Sequence, residues 1–291
     1  MILLAGGTGT LGRKTVRILS ARGRKVRILT RNPERAGDLE SDATEIVAGD
    51  VRDPASLQQA VSGIEAVISA ISGYGPSSGA DPRSVDGEGN HNLIRAAEAA
   101  GVGHFVLVSM HDAGPHHPME LARMKFAAEQ ELKRSRMDWT IIRPTAFMET
   151  WNEIIGAPLR KAGWAVIFGR GDNPVNFVSA DDVANLVALA VDDPNMRRLA
   201  IDLGGPENLT LTQLVQVCEA ESGRKARHVR IPRPILRLIA ALARPLNAAA
   251  ARLAADALVM DEMDFSFDVT LARRRLPSVP LTTFAEVVRR G

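Results

Sequence analysis

The chain contains a single cysteine, Cys218, among its 291 residues. One thiol cannot form an intramolecular disulfide, and it cannot supply the thiolate cluster of a structural zinc site. The sequence also lacks a run of roughly 18 uninterrupted apolar residues, the length that a membrane-spanning helix needs. Met1 is followed directly by a strand-like segment, without a charged leader or a cleavage site. These absences predict a protein of the reducing cytoplasm.

No charge of one sign dominates the chain, which has 36 Lys and Arg against 34 Asp and Glu, a formal net charge of +2. The arginines are interpreted as a scattered, solvated surface and not as the concentrated basic stripe that nucleic-acid binding requires. Hydrophobic residues make up 45% of the sequence, which is typical of a globular protein with a sizeable core. We therefore expect no nucleic-acid partner.

Short apolar runs alternate with amphipathic segments through the first half of the chain. Asp53 before Pro54 predicts the start of a helix, and Gly101 predicts the end of another. This alternation predicts an α/β fold with a doubly wound parallel sheet, which binds ligands beyond the carboxyl ends of its strands. The predicted strands occupy residues 2–5, 25–30, 45–48, 66–71, 105–109 and 140–143, and the predicted helices occupy 11–21, 54–61, 84–100 and 119–135.

The regular alternation ends near residue 144. The pattern predicts a Rossmann domain over residues 1–144, completed by segments that return from the second half of the chain. It predicts a smaller, mostly helical lobe over residues 145–291. Helices are predicted at 180–191 and at 211–222, the latter after a capping box. Residues 233–258 are rich in Ala, Leu and Arg. This segment fits a lid, the face of a homodimer, or an amphipathic surface that docks on a membrane or a protein.

The stretch "AGGTGTLGR", residues 5–13, lies between the first predicted strand and the first predicted helix, and three of its four glycines, Gly6, Gly9 and Gly12, recur at every third position. In this context Gly6 permits a tight turn, Gly9 lets the backbone approach a ligand, and Gly12 lets the helix pack closely. The unpaired N–H groups at the start of a helix favour a pyrophosphate, and the two threonines can add hydroxyl donors. The residues expected to bind it are Gly6, Thr8, Gly9, Thr10, Leu11 and Gly12.

The end of the second predicted strand has no acidic residue. The sequence there is "ILTRNPER", with Arg31 at the strand end and no carboxylate before Glu34. An acidic side chain at this point binds the ribose 2′-hydroxyl of NAD, whereas a guanidinium suits the 2′-phosphate of NADP. Arg31, helped by Arg13 and Arg35, therefore favours NADP(H) over NAD(H).

Together these segments resemble the short-chain dehydrogenase/reductase superfamily in its atypical, NmrA-like branch. The resemblance extends through "GDVRD" at 49–53, "AVISAIS" at 66–72, "HFVLVSM" at 104–110, "IIRPTAFME" at 141–149 and "NFVSADDVA" at 176–184, and it weakens after about residue 225. It implies an adenine contact at Asp50 and Val51, a ribose-lining segment at Ala70, Ile71 and Ser72, a nicotinamide contact at Pro144, and catalytic roles for Ser109 and Lys125.

One departure from the family limits the activity that the resemblance implies. The family uses a tyrosine and, four residues later, a lysine, but in "ELARMKF" Lys125 fits the lysine and Leu121 stands at the tyrosine position. The only tyrosine is Tyr74, in the loop "SGYGPSSGADP". The resemblance therefore implies an NADP(H)-dependent reductase of a quinone, an enone or a similar small acceptor, with Lys125 holding the nicotinamide ribose or acting as the acid. The alternative is a non-catalytic redox sensor, regulator or assembly factor.

The loop "MHDAGPHHP" at 110–118 brings three histidines and an aspartate together. A metal site needs ligands on a rigid element, and this loop is rich in Gly and Pro, so we expect no metal. Loops after parallel strands form the ligand-binding edge. A further hypothesis is that His111 acts as the acid in place of the missing tyrosine.

Overall fold

The computed structural model describes residues 1–74, 81–270 and 279–290. The chain divides into two compact units, the first formed by residues 1–74, 81–144 and 183–203 and the second by 145–182, 204–270 and 279–290. The strands are β1 (Ile2–Ala5), β2 (Val26–Thr30), β3 (Thr44–Ala48), β4 (Ala66–Ser69), β5 (His104–Val108), β6 (Asp138–Pro144), β7 (Ala146–Phe147), β8 (Trp164–Phe168), β9 (Val175–Val178), β10 (Leu199–Leu203), β11 (Asn208–Leu209) and β12 (Arg227–Ile231). The helices are α1 (Thr10–Ala21), α2 (Pro54–Ala60), α3 (Asn90–Ala99), α4 (Glu120–Arg134), α5 (Met148–Trp151), α6 (Ala157–Ala162), α7 (Ala180–Asp192), α8 (Leu211–Ser222), α9 (Arg233–Leu242), α10 (Ala248–Glu262) and α11 (Phe284–Arg290).

The first unit is built on a seven-stranded sheet in the order β10-β6-β5-β4-β1-β2-β3. Every neighbouring pair in this sheet is parallel, so the predicted doubly wound Rossmann sheet is confirmed. Residues of β1 and β4 are fully buried along their length, because helices cover both faces of a parallel sheet. The carboxyl ends of all seven strands therefore meet at one edge, where such folds bind ligands.

The capping residues that the sequence predicts start their helices as expected. The carboxylate of Asp53 accepts a hydrogen bond from the backbone N–H of Ala55 at 3.1 Å, with Pro54 in the first turn of α2. Thr210 and Gln213 form the reciprocal capping box of α8, with hydrogen bonds of 3.1 and 2.8 Å. These contacts satisfy N–H groups that a helix end leaves unpaired.

Three local differences from the predicted elements have physical causes. The predicted helix at 84–100 begins instead with a wide π-helical segment, Arg83–Gly89, before α3. Gly87 and Gly89 lie in this segment, and a Cβ at Gly89 would approach Val51 to 2.7 Å. β4 ends at Ser69, two residues early, and leaves residues 70–71 in the loop. β10 was not predicted because it is an edge strand whose outer end is exposed and whose apolar pattern is weak.

The second unit contains helices and, in addition, two small sheets that the sequence did not predict. A three-stranded sheet has the order β11-β9-β7, and a two-stranded sheet pairs β12 with β8 in parallel. Cys218 of α8 is buried in the core of this unit, and burial raises the pKa of its thiol to about 11, so the thiolate is scarce at neutral pH. Among the described helices, none has the length and apolar character that crossing a membrane requires.

Candidate functional site

The glycine turn lies at the carboxyl end of β1, in the middle of the ligand-binding edge of the first unit. Gly6 has a φ of +87°, and a Cβ there would lie 2.5 Å from the carbonyl oxygen of Ala70. A Cβ at Gly12 would lie 2.2 Å from the Gly6 oxygen, whereas a Cβ at Gly9 would meet only that oxygen, at 3.4 Å. Gly6 and Gly12 thus close the turn, and Gly9 stays open at the start of α1.

This turn presents the first N–H groups of α1, those of Thr10, Leu11 and Gly12, to the ligand-binding edge. The first four N–H groups of a helix have no partner in the preceding turn, and the helix dipole adds a partial positive charge. Thr8 precedes them and its carbonyl accepts from Arg13 Nε at 3.1 Å. The arrangement fits a dinucleotide pyrophosphate, because the tight turn leaves the backbone at Gly9 open in front of these N–H groups.

Arg31 follows β2 at the same edge and is exposed. The side chain of Arg13, which follows the glycine turn, contacts the segment after β2. Its guanidinium binds the Asp38 carboxylate at 2.5 and 2.6 Å and also the carbonyl of Arg35. The guanidinium of Arg13 holds the pKa of Asp38 below its usual range. Arg13 is therefore committed to protein partners, and Arg31 and Arg35 are the exposed cations at this corner.

Asp50 and Val51 follow β3. The Asp50 carboxylate makes a bidentate pair with Arg52, at 3.0 Å from Nε and 2.5 Å from Nη2, and this pairing lowers the pKa of Asp50. Val51 is half-buried against the Gly89 backbone, and its carbonyl accepts from Asn92 at 3.0 Å. The sequence prediction missed Arg52, which restrains the Asp50 side chain at the end of its strand.

Ala70, Ile71 and Ser72 follow β4 directly. The N–H of Ala70 donates to the Ala5 carbonyl at 2.9 Å, so this segment runs beside the glycine turn. Ile71 is buried and Ser72 is exposed, with its hydroxyl accepting from the N–H of Tyr74 at 3.1 Å. The loop sequence that contains Tyr74 continues into residues 75–80, which lie outside the described residues.

Lys125, on α4, is almost completely buried, with 4% of its surface exposed. Its ammonium donates to the carbonyls of Ile71 at 2.9 Å and Val108 at 3.0 Å, and it lies 2.9 Å from Asp86 Oδ1. Asp86 is fully buried, and its second oxygen accepts from the N–H of Gly73 at 2.7 Å. Two of the ammonium hydrogens thus go to backbone carbonyls, while Asp86 Oδ1 compensates the charge as an ion pair, and Lys125 ties the ends of β4 and β5 together.

Ser109 follows β5 and is also buried. Its hydroxyl donates to Glu129 Oε1 at 2.6 Å, and the fully buried Glu129 is paired with Arg143, at 2.9 Å from Nε and 2.5 Å from Nη2. A serine has a single donor hydrogen, so in this arrangement Ser109 can accept but not donate a further hydrogen bond. Pairing with Glu129 raises the pKa of Arg143.

His111 follows Ser109 at the same edge, and 23% of its side chain is exposed. Its Nδ1 lies 2.9 Å from Asp202 Oδ1, at the end of β10, and its Nε2 lies 3.5 Å from Asp112. Its backbone N–H donates to the carbonyl of Pro144, the last residue of β6, at 2.8 Å. The hydrogen bond to Asp202 raises the pKa of His111, despite its partial burial and the positive charge of Arg143.

The structure thus brings every predicted site residue to one edge of the first unit. The partners Asp86 and Glu129, which are fully buried, and Asp202, which is partly exposed, were not predicted, because each is distant in sequence from the residue that it binds. Leu121, at the family's tyrosine position, is half-buried on α4. Within the described ranges no group of three or more His, Cys, Asp or Glu is arranged to hold a metal ion.

Comparisons with known proteins agree with this geometry. The model of an NAD(P)H-binding family matches residues 6–194. The photosystem II assembly factor Ycf39 of Synechocystis sp. is 32% identical over 84% of this chain and 74% of its own, and the NAD(P)H azoreductase of Xenophilus azovorans is 30% identical over 79% and 77%.

A solved structure extends the comparison to the whole chain. The NADPH-dependent quinone oxidoreductase QOR2 of Escherichia coli, complexed with NADPH, is 25% identical with a TM-score of 0.80, covering 100% of this chain and 99% of that one. The family match covers more than half of the chain, and it includes the glycine turn and strands β2 to β6. The chain therefore belongs to the NAD(P)H-binding family, in the atypical, NmrA-like branch of the short-chain dehydrogenase/reductases.

Proposed function

We propose that the protein is an NADP(H)-dependent reductase that transfers a hydride to a quinone, an enone or a similar small acceptor. The observation that carries the proposal is the glycine turn at the carboxyl edge of the sheet, where Gly6 and Gly12 leave no room for a Cβ. When bound there, the dinucleotide supplies a hydride from nicotinamide C4. The relatives named for quinone and azo reduction support this class of acceptor.

The preference for NADP(H) rests on Arg31 and Arg35, which are exposed beside the glycine turn. A guanidinium binds a phosphate through charge-assisted, bidentate hydrogen bonds. The nearby carboxylates do not oppose this role, because Asp38 is paired with Arg13 and Asp50 with Arg52. The 2′-phosphate would therefore meet two exposed cations, with the Asp38 and Asp50 carboxylates already paired.

The acceptor class follows from the proton donors at the site. Leu121 has no transferable proton, the Ser109 hydroxyl donates to Glu129, and the buried Lys125 ammonium donates to two carbonyls and is ion-paired with Asp86. A quinone accepts a hydride readily, because the negative charge that develops is delocalised over the ring and its oxygens. Hydride addition gives the hydroquinone monoanion, which needs one proton to become the neutral hydroquinone.

His111 is the residue to which we assign that proton. It is partly exposed, it lies at the ligand-binding edge beside the buried Ser109, and Asp202 favours its protonated form. β5 lies two strands from β1 in the sheet, a separation of about 10 Å, which a dinucleotide spans. Lys125 and Ser109 then act as positioning residues that hold the ends of β4, β5 and β6.

A non-catalytic nucleotide sensor or assembly factor is the second candidate. It is favoured by the burial of Lys125 against two carbonyls and Asp86 and of the Ser109 hydroxyl against Glu129, and by the relatives named as photosystem II assembly factors. One experiment separates the two. The protein is titrated into NADPH while the nicotinamide fluorescence is followed, and then a small panel of quinones is added. Catalytic loss of NADPH supports the reductase, whereas enhancement that persists supports the sensor.

A further inference from the structure

Exposed apolar side chains are concentrated in one part of the second unit. Seven large hydrophobic residues are exposed in the part of the chain that the structure describes, and five of them lie between residues 229 and 246. They are Val229, Ile235, Leu238, Leu242 and Leu246, with exposures of 41, 48, 57, 63 and 92%. We call these five residues the 229–246 surface.

The spacing of these residues places three of them on one stripe of α9. Ile235, Leu238 and Leu242 recur at intervals of three and four residues, the period of one helix face. Leu236 is the buried residue of this helix. Arg233 and Arg237 lie away from the stripe and bind Asp261 and Glu262 of α10, at 2.5 and 3.3 Å. The helix therefore packs by another side, and the apolar stripe is exposed.

The charge around this surface corrects the expectation of scattered arginines. Residues 222–255 contain seven arginines, one lysine and no Asp or Glu, while the rest of the chain has 28 basic and 34 acidic residues. Arg224, Lys225, Arg227, Arg230 and Arg244 are exposed. The 229–246 surface is thus an apolar stripe within an acid-free cationic segment.

We propose that the 229–246 surface docks on an anionic lipid bilayer. Apolar side chains that enter the headgroup boundary, flanked by arginines that pair with lipid phosphates, are the pattern of an interfacial helix. The exposed leucines project outward, and Leu246 stands at the turn after α9 with 92% of its surface exposed. A fluid bilayer closes around such projections, whereas a folded partner would need a matching groove.

A second copy of the chain fits this surface less well. In a two-fold symmetric contact the same patch faces itself, so the cationic segments of the two copies would be brought together and would repel. The bilayer offers the opposite charge over its whole area. This inference does not depend on the proposed reductase activity.

The test is cosedimentation of the full-length protein with vesicles of phosphatidylcholine alone or of phosphatidylcholine mixed with phosphatidylglycerol. The protein is expected to sediment with the mixed vesicles and not with phosphatidylcholine alone. Raising the salt from 0.1 to 1 M shortens the Debye length from about 10 to about 3 Å and should weaken the binding. Failure of the native protein to bind the mixed vesicles overturns the proposal.

Variants assign the binding to this surface. Leu238→Glu with Leu242→Glu, and separately Arg227→Glu with Arg244→Glu, should each lower partitioning by about tenfold or more. Leu199→Glu, at a leucine of β10 that is 45% exposed, is the matched control and should bind as the native protein does. Equal binding by all of these variants overturns the assignment.

Folding and oligomeric state are measured on the same samples. Thermal melting and NADPH fluorescence report whether each variant is folded. Leu246→Glu is a third variant, at a site where the side chain has almost no packing to lose. Light scattering gives the mass in solution. A native dimer that Leu238→Glu with Leu242→Glu converts to a monomer, without a change in vesicle binding, would contradict the lipid assignment and identify a second copy as the occupant.

Discussion

Lys125 and Ser109 occupy the positions that the family resemblance marks for catalysis, yet each is held by buried partners of the same unit. The ammonium of Lys125 is held by two carbonyls and the Asp86 carboxylate, and the hydroxyl of Ser109 by Glu129. A buried charged pair that loses one partner leaves an uncompensated charge. These residues therefore stabilise the edge of the sheet, and the proton supply is assigned to His111.

A His111→Gln variant tests this assignment. It is expected to lower kcat for a quinone by about a hundredfold while leaving NADPH affinity unchanged, because His111 would act on the acceptor. In the native protein kcat should fall as the pH rises through the raised pKa of His111, since the protonated imidazole is the donor. Steady-state rates between acid and alkaline pH measure both effects.

The Asp202→Asn variant distinguishes a role of the His111–Asp202 pair in proton donation from a role in packing. Removing the carboxylate removes the main cause of the raised His111 pKa, so the limb of the pH profile should move to lower pH with folding intact. His116→Gln, at an exposed position of the same loop, is the control and should leave the profile unchanged. A His111→Gln enzyme with the native rate at every pH would contradict the assignment.

Arg31→Ala tests the choice of nucleotide. The loss of one charge-assisted contact to a 2′-phosphate, about 1.5–3 kcal/mol, predicts a rise of about 10- to 100-fold in the Kd for NADPH and little change for NADH. Fluorescence titrations with both nucleotides provide the measurement. Arg17→Ala, at an exposed arginine of α1, should change neither Kd, and a parallel loss of NADH affinity in Arg31→Ala would argue against phosphate recognition.

Local sequence spacing was sufficient to predict the positions of residues at the glycine turn and at a strand end. Gly6, Gly12 and Arg31 fall where the pattern puts them. The polar partners could not be predicted in this way, because Glu129 lies 20 residues from Ser109 and Asp202 lies 91 residues from His111. Only the parallel order of β5, β6 and β10 brings these side chains together.

At the scale of elements, the turn between β1 and α1 depends on glycine packing. In Gly12→Ala the added Cβ would overlap the Gly6 oxygen, at 2.2 Å, and the helix would have to move away from the turn. We expect a loss of about 2–3 kcal/mol in the free energy of unfolding, roughly 5–10 °C in Tm. NADPH binding should weaken at temperatures where the variant is still folded.

Gly103→Ala is the matched control for this change. Gly103 precedes β5, and a Cβ there would make only an ordinary contact of 3.7 Å with the Glu65 oxygen. Its Tm and its NADPH affinity should stay near the native values. Native NADPH affinity in Gly12→Ala would show that the glycine turn is not the nucleotide site.

The elements that the sequence predicted well are those with strong periodicity or explicit caps. The six predicted strands and α8 were located within about two residues, because buried parallel strands are continuous apolar runs. β10 and the short strands of the second unit were missed, since an exposed edge strand such as Leu199–Leu203 has a mixed pattern. The π-helical segment Arg83–Gly89 depends on close packing against Val51 and Met124, which spacing does not report.

At the scale of the whole molecule, one buried group in each unit makes the stability depend on pH, and the two dependences have opposite signs. In the first unit, burial lowers the pKa of His104 to about 4. The imidazole therefore stays neutral in the folded protein at pH values at which it is protonated in the unfolded chain. The free energy of unfolding therefore decreases by about 2–3 kcal/mol as the pH falls from about 6.5 toward 4, and this group does not lower it above about pH 6.5. His104→Gln should therefore lose less stability between pH 7 and pH 4 in denaturant titrations, and an unchanged acid slope would contradict this.

In the second unit, burial raises the pKa of Asp182 to about 6, although Thr282 donates two hydrogen bonds to its carboxylate at 2.7 and 2.8 Å. The folded state then binds more protons than the unfolded state between about pH 4 and 6, so this group lowers stability as the pH rises through that range. Asp182→Asn should remove that slope and give a higher Tm at pH 7. A lower Tm would show that the ionised hydrogen bonds outweigh the burial.

The most direct test of the account is the rate at which the native protein oxidises NADPH in the presence of a quinone, followed by absorbance with hydroquinone measured at the end. The account predicts catalytic turnover, with one hydroquinone formed for each NADPH consumed and with NADPH used in preference to NADH. Tight NADPH binding without any oxidation across the quinone panel would contradict it and would identify the protein as a nucleotide-binding factor.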